Sequence, residues 1–252
     1  MTAVMPGAEG LSTAGGEMGV LVLHGFTGSP SSVRALAEAF AAHGHSVEVP
    51  RLPGHGTCID DMMRTSWADW SAAAEAALDR LRQRTERQVV AGLSMGGSLA
   101  CWLAVRHPGI AGLICINPAV TAQDGSAELV RSLVDAGETV VVGSGSDIAD
   151  PDATDLAYRD TPLVPLLSML EAASEFAGQL DLIEQPMLLI NSIQDHVVPP
   201  SDSDHLAAAV SGTVERLQLK HSYHVATVDL DRELVMRRSV EFVDRLAASA
   251  RH

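Results

Sequence analysis

Apolar positions recur along this chain in two alternating rhythms. "GVLVLH" (19–24) is apolar up to its last residue, as a strand covered on both faces should be. Ser31 to Ala42 has helical spacing, with Val33, Leu36, Ala37 and Phe40 on one side. "HSVEVP" (45–50) predicts a short strand and Trp67 to Arg84 a long alanine-rich helix. "QVVAGL" (88–93) predicts the next strand, Ser94 to Arg106 the helix after it, and "IAGLICIN" (110–117) another buried strand. "PMLLINSI" (186–193), a helix from about Asp202, "VERLQLK" (214–220) and a last helix from Asp231 to Ala248 complete the series.

Strands separated by helices predict an α/β fold, a mostly parallel sheet with helices on both faces, in a single domain spanning 1–252. The rhythm breaks between Thr121 and Leu180. That stretch is rich in Asp, Gly and Pro and holds one strongly apolar helix candidate, "PLVPLLSMLEAASEF" (162–176). It is too long for a structureless loop, so it is expected to be a small inserted cap, about 121–180.

Composition narrows the function. Hydrophobic residues make up 46% of the chain, enough for a packed core, yet no apolar run approaches the roughly 20 residues of a membrane span. Stable membrane insertion is not expected. The opening "MTAVMPGAEGLSTAGG" has no basic residue followed by an apolar stretch, so it is not read as a secretory signal but as a floppy leader of small residues. Cys58, Cys101 and Cys115 form no metal-ligand spacing and no paired framework, which suits a reducing cytoplasm. The formal net charge of −15 argues against nucleic-acid partners. Thirteen Asp or Glu against two Arg, a balance of −11, fall between Thr121 and Gln185. A neutral substrate suits that region, and so does a plain solvated face.

Candidate chemistry begins at Gly92-Leu93-Ser94-Met95-Gly96. As a bare string the pattern is loose, but it follows a strand and opens a helix, the context of a nucleophile elbow. A strained turn there would lift the Ser94 hydroxyl above the sheet, with Gly92 and Gly96 letting the two arms pass. His24-Gly25-Phe26-Thr27-Gly28, after the first strand, is placed to aim a second backbone N–H at the same point. The N–H groups of Phe26 and Met95 are therefore the candidate oxyanion hole. An acid and a base should follow in chain order. Asp195 falls at a strand's C-terminal end, where open α/β sheets place their chemistry. Two histidines follow the next strand. His224, deeper in its loop beside small apolar residues, is a better base than His221, and His196 is a direct neighbour of the acid and would point away from it. His55, between glycines in "LPGHGT", is expected to be structural. No metal, nucleotide or other cofactor is expected.

"HGFTGSPSSVR", "PRLPGHGT", "GLSMGG", "DHVVPP" and "SYHVATVD" together resemble the bacterial monoacylglycerol lipases of the α/β-hydrolase superfamily, and next to them the small thermostable bacterial carboxylesterases. The resemblance runs from about Gly19 to Leu246. It implies an α/β-hydrolase fold and a serine esterase with Ser94 as nucleophile, Asp195 as acid, His224 as base, and Phe26 and Met95 as oxyanion donors. The implied partner is a small neutral lipid ester. The cap departs from the pattern: relatives commonly carry Glu before "LAY", and this chain has Asp155. Asp155 is the candidate contact to a substrate headgroup, and Leu167 and Leu170 of the apolar helix are candidates for an acyl tunnel. The same apolar residues would equally seat the cap on the core. A general carboxylesterase or thioesterase would use the same triad, and a hydrolase-like ligand receptor with slow turnover would keep the same pocket.

Overall fold

A computed structural model of the chain describes residues 2–121, 125–143 and 145–249. The chain begins with β1 (Leu11–Thr13), β2 (Met18–Leu23), α1 (Ser31–Ala42), β3 (Ser46–Val49), α2 (Ile59–Met62) and α3 (Trp67–Arg82). β4 (Arg87–Leu93), α4 (Met95–Arg106) and β5 (Gly112–Ile116) follow. The chain then leaves the sheet through α5 (Ser126–Asp135), β6 (Val140–Val141), β7 (Thr161–Pro162) and α6 (Leu163–Ala177). It returns as β8 (Met187–Ser192), α7 (Pro200–Ala209), β9 (Val214–Leu219) and α8 (Arg232–Ser249).

Seven strands form one sheet in the order β1-β3-β2-β4-β5-β8-β9, parallel throughout except where β1 runs antiparallel to β3. Period-two alternation feeds both faces. Leu21, Leu23, Val90, Leu113 and Leu189 point into a core shared with α3, α4 and α6. Val20, Val22, Val89, Ala91, Ile114 and Ile190 point into a second core closed by α1 and α8. Every residue of β2, β5 and β8 is buried, which explains why these strands read as unbroken apolar runs. At about 25 cal/mol per Å² of apolar area removed from water, this double burial is the main stabilising term.

The leader departs from its expectation. Leu11–Thr13 forms an edge strand, with Ser12 opposite Glu48 and its hydroxyl donating to the Glu48 carboxylate at 2.8 Å. Arg80 and Arg84 bond the same carboxylate at 2.9 Å each. The pairing covers what would otherwise be the open edge of β3, and the Ser12 hydroxyl adds a third partner to the buried Glu48 carboxylate. Sequence pattern also missed α5, which buries only Val130, and the two-residue ladder of β6 with β7.

The C-terminal ends of β2, β4, β5, β8 and β9 open on the same side, and a histidine pair supports the first of them. His24, directly after β2, donates from Nδ1 to the Gly25 carbonyl at 3.0 Å and accepts the Leu52 N–H on Nε2 at 3.1 Å. Those partners assign a neutral ring. His55 stacks edge-on to it at 5.0 Å and donates from Nδ1 to the Pro53 carbonyl, while its Nε2 is buried with no partner. Phe26 and Trp70 complete the cluster, 5.7 Å apart. Both histidines are fully buried. Burial holds His24 down at about 3, with His55 facing it as a further cause, and it holds His55 at about 4.

Each ring is therefore neutral in the fold and titrates near 6.5 when unfolded. Their contribution to stability is complete above pH 6.5 and is lost as pH falls toward 4 and then 3. Around pH 5 the two rings together contribute a slope of about 2.7 kcal/mol per pH unit, from two protons taken up on unfolding. Urea unfolding of His55→Gln between pH 4.5 and 5.5 is expected to show about half of that pair's slope removed. An unchanged slope would mean that His55 is not held neutral.

Candidate active site

β4 runs through the middle of the sheet and ends at Leu93, and α4 starts at Met95. Ser94 alone makes the turn, at φ 55° and ψ −119°, a backbone region an L-residue occupies only under strain. Its N–H donates to the Ile116 carbonyl of β5 at 2.9 Å, and its carbonyl accepts the N–H groups of Gly97 and Ser98. A Cβ on Gly92 would overlap the Gly96 carbonyl, and one on Gly96 would overlap the Leu23 carbonyl of β2. These two positions require glycine because backbone, not side chain, stands in the way. The turn is packed from both neighbours in the sheet.

The loop after β2 passes the same point. A Cβ on Gly25 would lie 3.3 Å from the Ser94 Cβ. Phe26 follows it and lines the same cavity as Ser94. Met95 is the first residue of α4, so its N–H has no intrahelical acceptor and sits at the positive end of the helix dipole.

The Asp195 carboxylate, its side chain only 2% exposed, accepts His224 Nδ1 on one oxygen at 2.8 Å. Its other oxygen accepts the N–H groups of Val197 and Val198 at 2.9 and 2.8 Å. A carboxylate accepts only, so Nδ1 carries the proton and Nε2 is left as the basic nitrogen. Ser94 and His224 line one cavity of about 500 Å³, without a direct hydrogen bond between them. Catalytic contacts of this kind commonly close only around substrate.

Asn117, at the end of β5 with φ 43°, fastens the base loop to the sheet. Its amide donates to the His224 carbonyl at 2.7 Å, while its oxygen accepts the Ser192 N–H of β8 at 2.7 Å. Asp229, fully buried, accepts N–H groups from Tyr223, Leu230, Ala149 and Asp150. Neither role was legible as chemistry, although Asp229 closes the string "SYHVATVD".

The segment between β5 and β8 supplies the far wall of the cavity. α6 contributes Leu166, Met169 and Leu170, with Val130 from α5 beside them. Leu170 is where sequence placed it; Leu167 is not on the wall. Positions 166, 169, 170 and 173 share one helical face, and 167 sits about 100° away from 166. Two carboxylates line the same cavity. Asp155 accepts Ser31 and Ser146 hydroxyls at 3.3 and 3.4 Å, and Asp202 accepts the Thr121 hydroxyl at 2.8 Å. Burial pushes both carboxyl groups above their usual range, against the pull of those hydrogen bonds. Tyr158 ties the segment to the loop after β2, its N–H donating to the Thr27 carbonyl and its hydroxyl to the Gly54 carbonyl. His55 is buried away from the cavity. His196 turns outward to Asp147 at 2.9 Å. Among the described residues no helix is long and apolar enough to cross a membrane.

Comparison with known proteins adds family to geometry. Residues 17–231 match the family described as serine aminopeptidase, S33. The chain is 43% identical over 246 residues to a thermostable monoacylglycerol lipase of Bacillus sp. (strain H-257), covering 95% of each. It is 23% identical over 236 residues to a carboxylesterase of Bacillus subtilis (strain 168), covering 92% of this chain and 94% of the relative. Among solved structures, one from work on LipS and LipT, two metagenome-derived lipolytic enzymes, superposes with a TM-score of 0.92 at 39% identity. It covers 96% of this chain and all of that one. The monoacylglycerol lipase of Paleococcus ferrophilus, at 19% identity and a TM-score of 0.78, shares the fold.

Proposed function

Because the chain belongs to the serine aminopeptidase S33 family, in the monoacylglycerol lipase and carboxylesterase branch of the α/β-hydrolases, we propose that it cleaves monoacylglycerols to glycerol and fatty acid. Hydrolysis of carboxylic esters is the chemistry of that branch and of this chain. The choice of monoacylglycerol is carried by one observation: a single cavity that holds Ser94 and His224 is lined both by apolar side chains of α6 and by the carboxylates of Asp155 and Asp202. An acyl chain suits the first, at about 0.8 kcal/mol per buried methylene, and a neutral diol suits the second. The 43% identical lipase supports the same assignment.

His224 Nε2 takes the Ser94 proton as the hydroxyl oxygen attacks the ester carbonyl, and Asp195 holds the ring in the required tautomer and stabilises its cation. The N–H groups of Phe26 and Met95 receive the developing oxyanion, each donor worth about 3 kcal/mol. Collapse breaks the bond to glycerol, whose oxygen takes the proton back from His224. Water then attacks the acyl-enzyme by the same steps, and fatty acid leaves. The segment 121–180 acts as a cap that closes the cavity over the acyl chain, and Asp155 accepts a headgroup hydroxyl. Three free thiols, two of them buried and hydrogen-bonded to each other at 3.9 Å, fit a reducing cytoplasm.

Ser94→Ala is expected to abolish ester hydrolysis while its circular dichroism and unfolding midpoint stay at wild-type values. Unchanged turnover would remove Ser94 from the mechanism. A panel of monoacylglycerols, diacylglycerols and p-nitrophenyl esters of graded chain length tests the substrate, with monoacylglycerols of medium or long chain expected to lead in kcat/KM. Asp155→Ala should raise KM for monoacylglycerol about tenfold, the loss of one charged hydrogen bond, and leave p-nitrophenyl esters unaffected. Equal effects on both, or a panel led by simple alkyl esters, would return the chain to general carboxylesterase.

A further inference from the structure

The loops that carry Asp195 and His224 share an anchor that belongs to neither. Asp147, in the stretch between β6 and β7, has a side chain 17% exposed. Its Oδ2 accepts the His224 N–H at 3.1 Å and the His196 N–H at 3.2 Å. Its Oδ1 pairs with His196 Nδ1 at 2.9 Å, and its own carbonyl accepts the Val225 N–H at 3.1 Å. One residue of the inserted segment thus grips the main chain beside the acid and beside the base.

We propose that Asp147 is a positioning residue for the triad, an inference that rests on His224 being the base. The main chain of His224 is held at both ends, its N–H by Asp147 from the inserted segment and its carbonyl by Asn117 from the sheet. With both grips the ring has little freedom to drift from the Ser94 hydroxyl. With Asp147 gone, the base loop keeps only its sheet-side hold, and a misplacement of 1 Å in such a group costs up to about a hundredfold in rate. The buried Asp229 fixes the same neighbourhood from below by accepting the N–H groups of Ala149, Asp150 and Tyr223. Residues 147–150 therefore tie the insertion to the loops of both the acid and the base.

The test compares Asp147→Ala and Asp147→Asn with the full-length wild type, using a medium-chain p-nitrophenyl ester and a fluorophosphonate that reacts with an activated serine. Asparagine keeps an oxygen for the two backbone N–H groups, and alanine keeps none. The alanine variant is expected to lose about tenfold to a hundredfold in kcat with KM within about twofold, and to react with the probe proportionally more slowly. The asparagine variant should restore kcat to within about threefold, whereas Asp147→Leu, of similar bulk but with no acceptor, should stay as low as alanine, which separates hydrogen-bonded positioning from bulk packing. If alanine prevents folding by circular dichroism, Asp147→Ser decides, since its single shorter hydroxyl cannot reach both loops and must also lower kcat. Wild-type kcat in a folded alanine or serine variant overturns the proposal, as does an asparagine variant no better than alanine. A wild type that the probe leaves unmodified at Ser94 refutes the triad reading instead, so the two failures are distinguishable.

Discussion

The turn at Ser94 is the constraint on which the rest of this molecule depends. A residue with a side chain sits at positive φ between a central strand and a helix, and only the surrounding backbone holds it there. β2 presses on it through Gly96 and through Gly25, and the Ile116 carbonyl of β5 accepts its N–H. Strain of about 1–3 kcal/mol persists at such a residue only when neighbours over-determine it. Here the neighbours are two fully buried strands of the sheet, so the hydrophobic effect that builds the core also fixes the hydroxyl. The loop of Phe26 stands on the neutral His24–His55 pair and Trp70, which gives the second side of the turn a rigid base.

Around this point the molecule divides its work between sheet and insertion. The sheet brings Ser94, Asn117, Asp195 and His224 to the C-terminal ends of adjacent or nearly adjacent strands, where an open α/β sheet leaves a crevice. The segment between β5 and β8 adds what the sheet lacks: apolar lining from α6, the Asp155 carboxylate, and the Asp147 and Tyr158 contacts that bind it to the loops below. The excess of acid in this segment is therefore partly internal. Asp147, Asp155 and Asp150 are engaged with backbone, hydroxyl or guanidinium partners and are not simply a solvated face.

Sequence pattern made the sheet and its helices legible because double burial writes itself as unbroken apolar runs, and because α1, α3 and α8 each carry a periodic apolar face. The elbow was legible for a different reason: two glycines at fixed offsets around a serine, between a strand and a helix, have few other uses. What escaped was everything decided by distant pairing. The β1 strand is three residues of ordinary composition whose role exists only opposite Glu48. Asp147 and Asp229 look like any surface acid until the fold delivers backbone N–H groups to them from loops far along the chain. Leu167 and Leu166 are equivalent as letters, and a rotation of about 100° separates the wall of the cavity from its flank.

In the proposed mechanism the hydroxyl of Ser94, the imidazole of His224 and two backbone amides converge on one reacting carbon. A crystal structure of the protein inactivated by an alkyl phosphonate decides this, because the phosphorus imitates the tetrahedral carbon. Phosphorus is expected on Ser94 Oγ, with its unesterified oxygen about 3 Å from the N–H groups of Phe26 and Met95 and the alkyl chain along α6. An adduct on another residue, or a phosphoryl oxygen turned away from both amides, would rule the mechanism out.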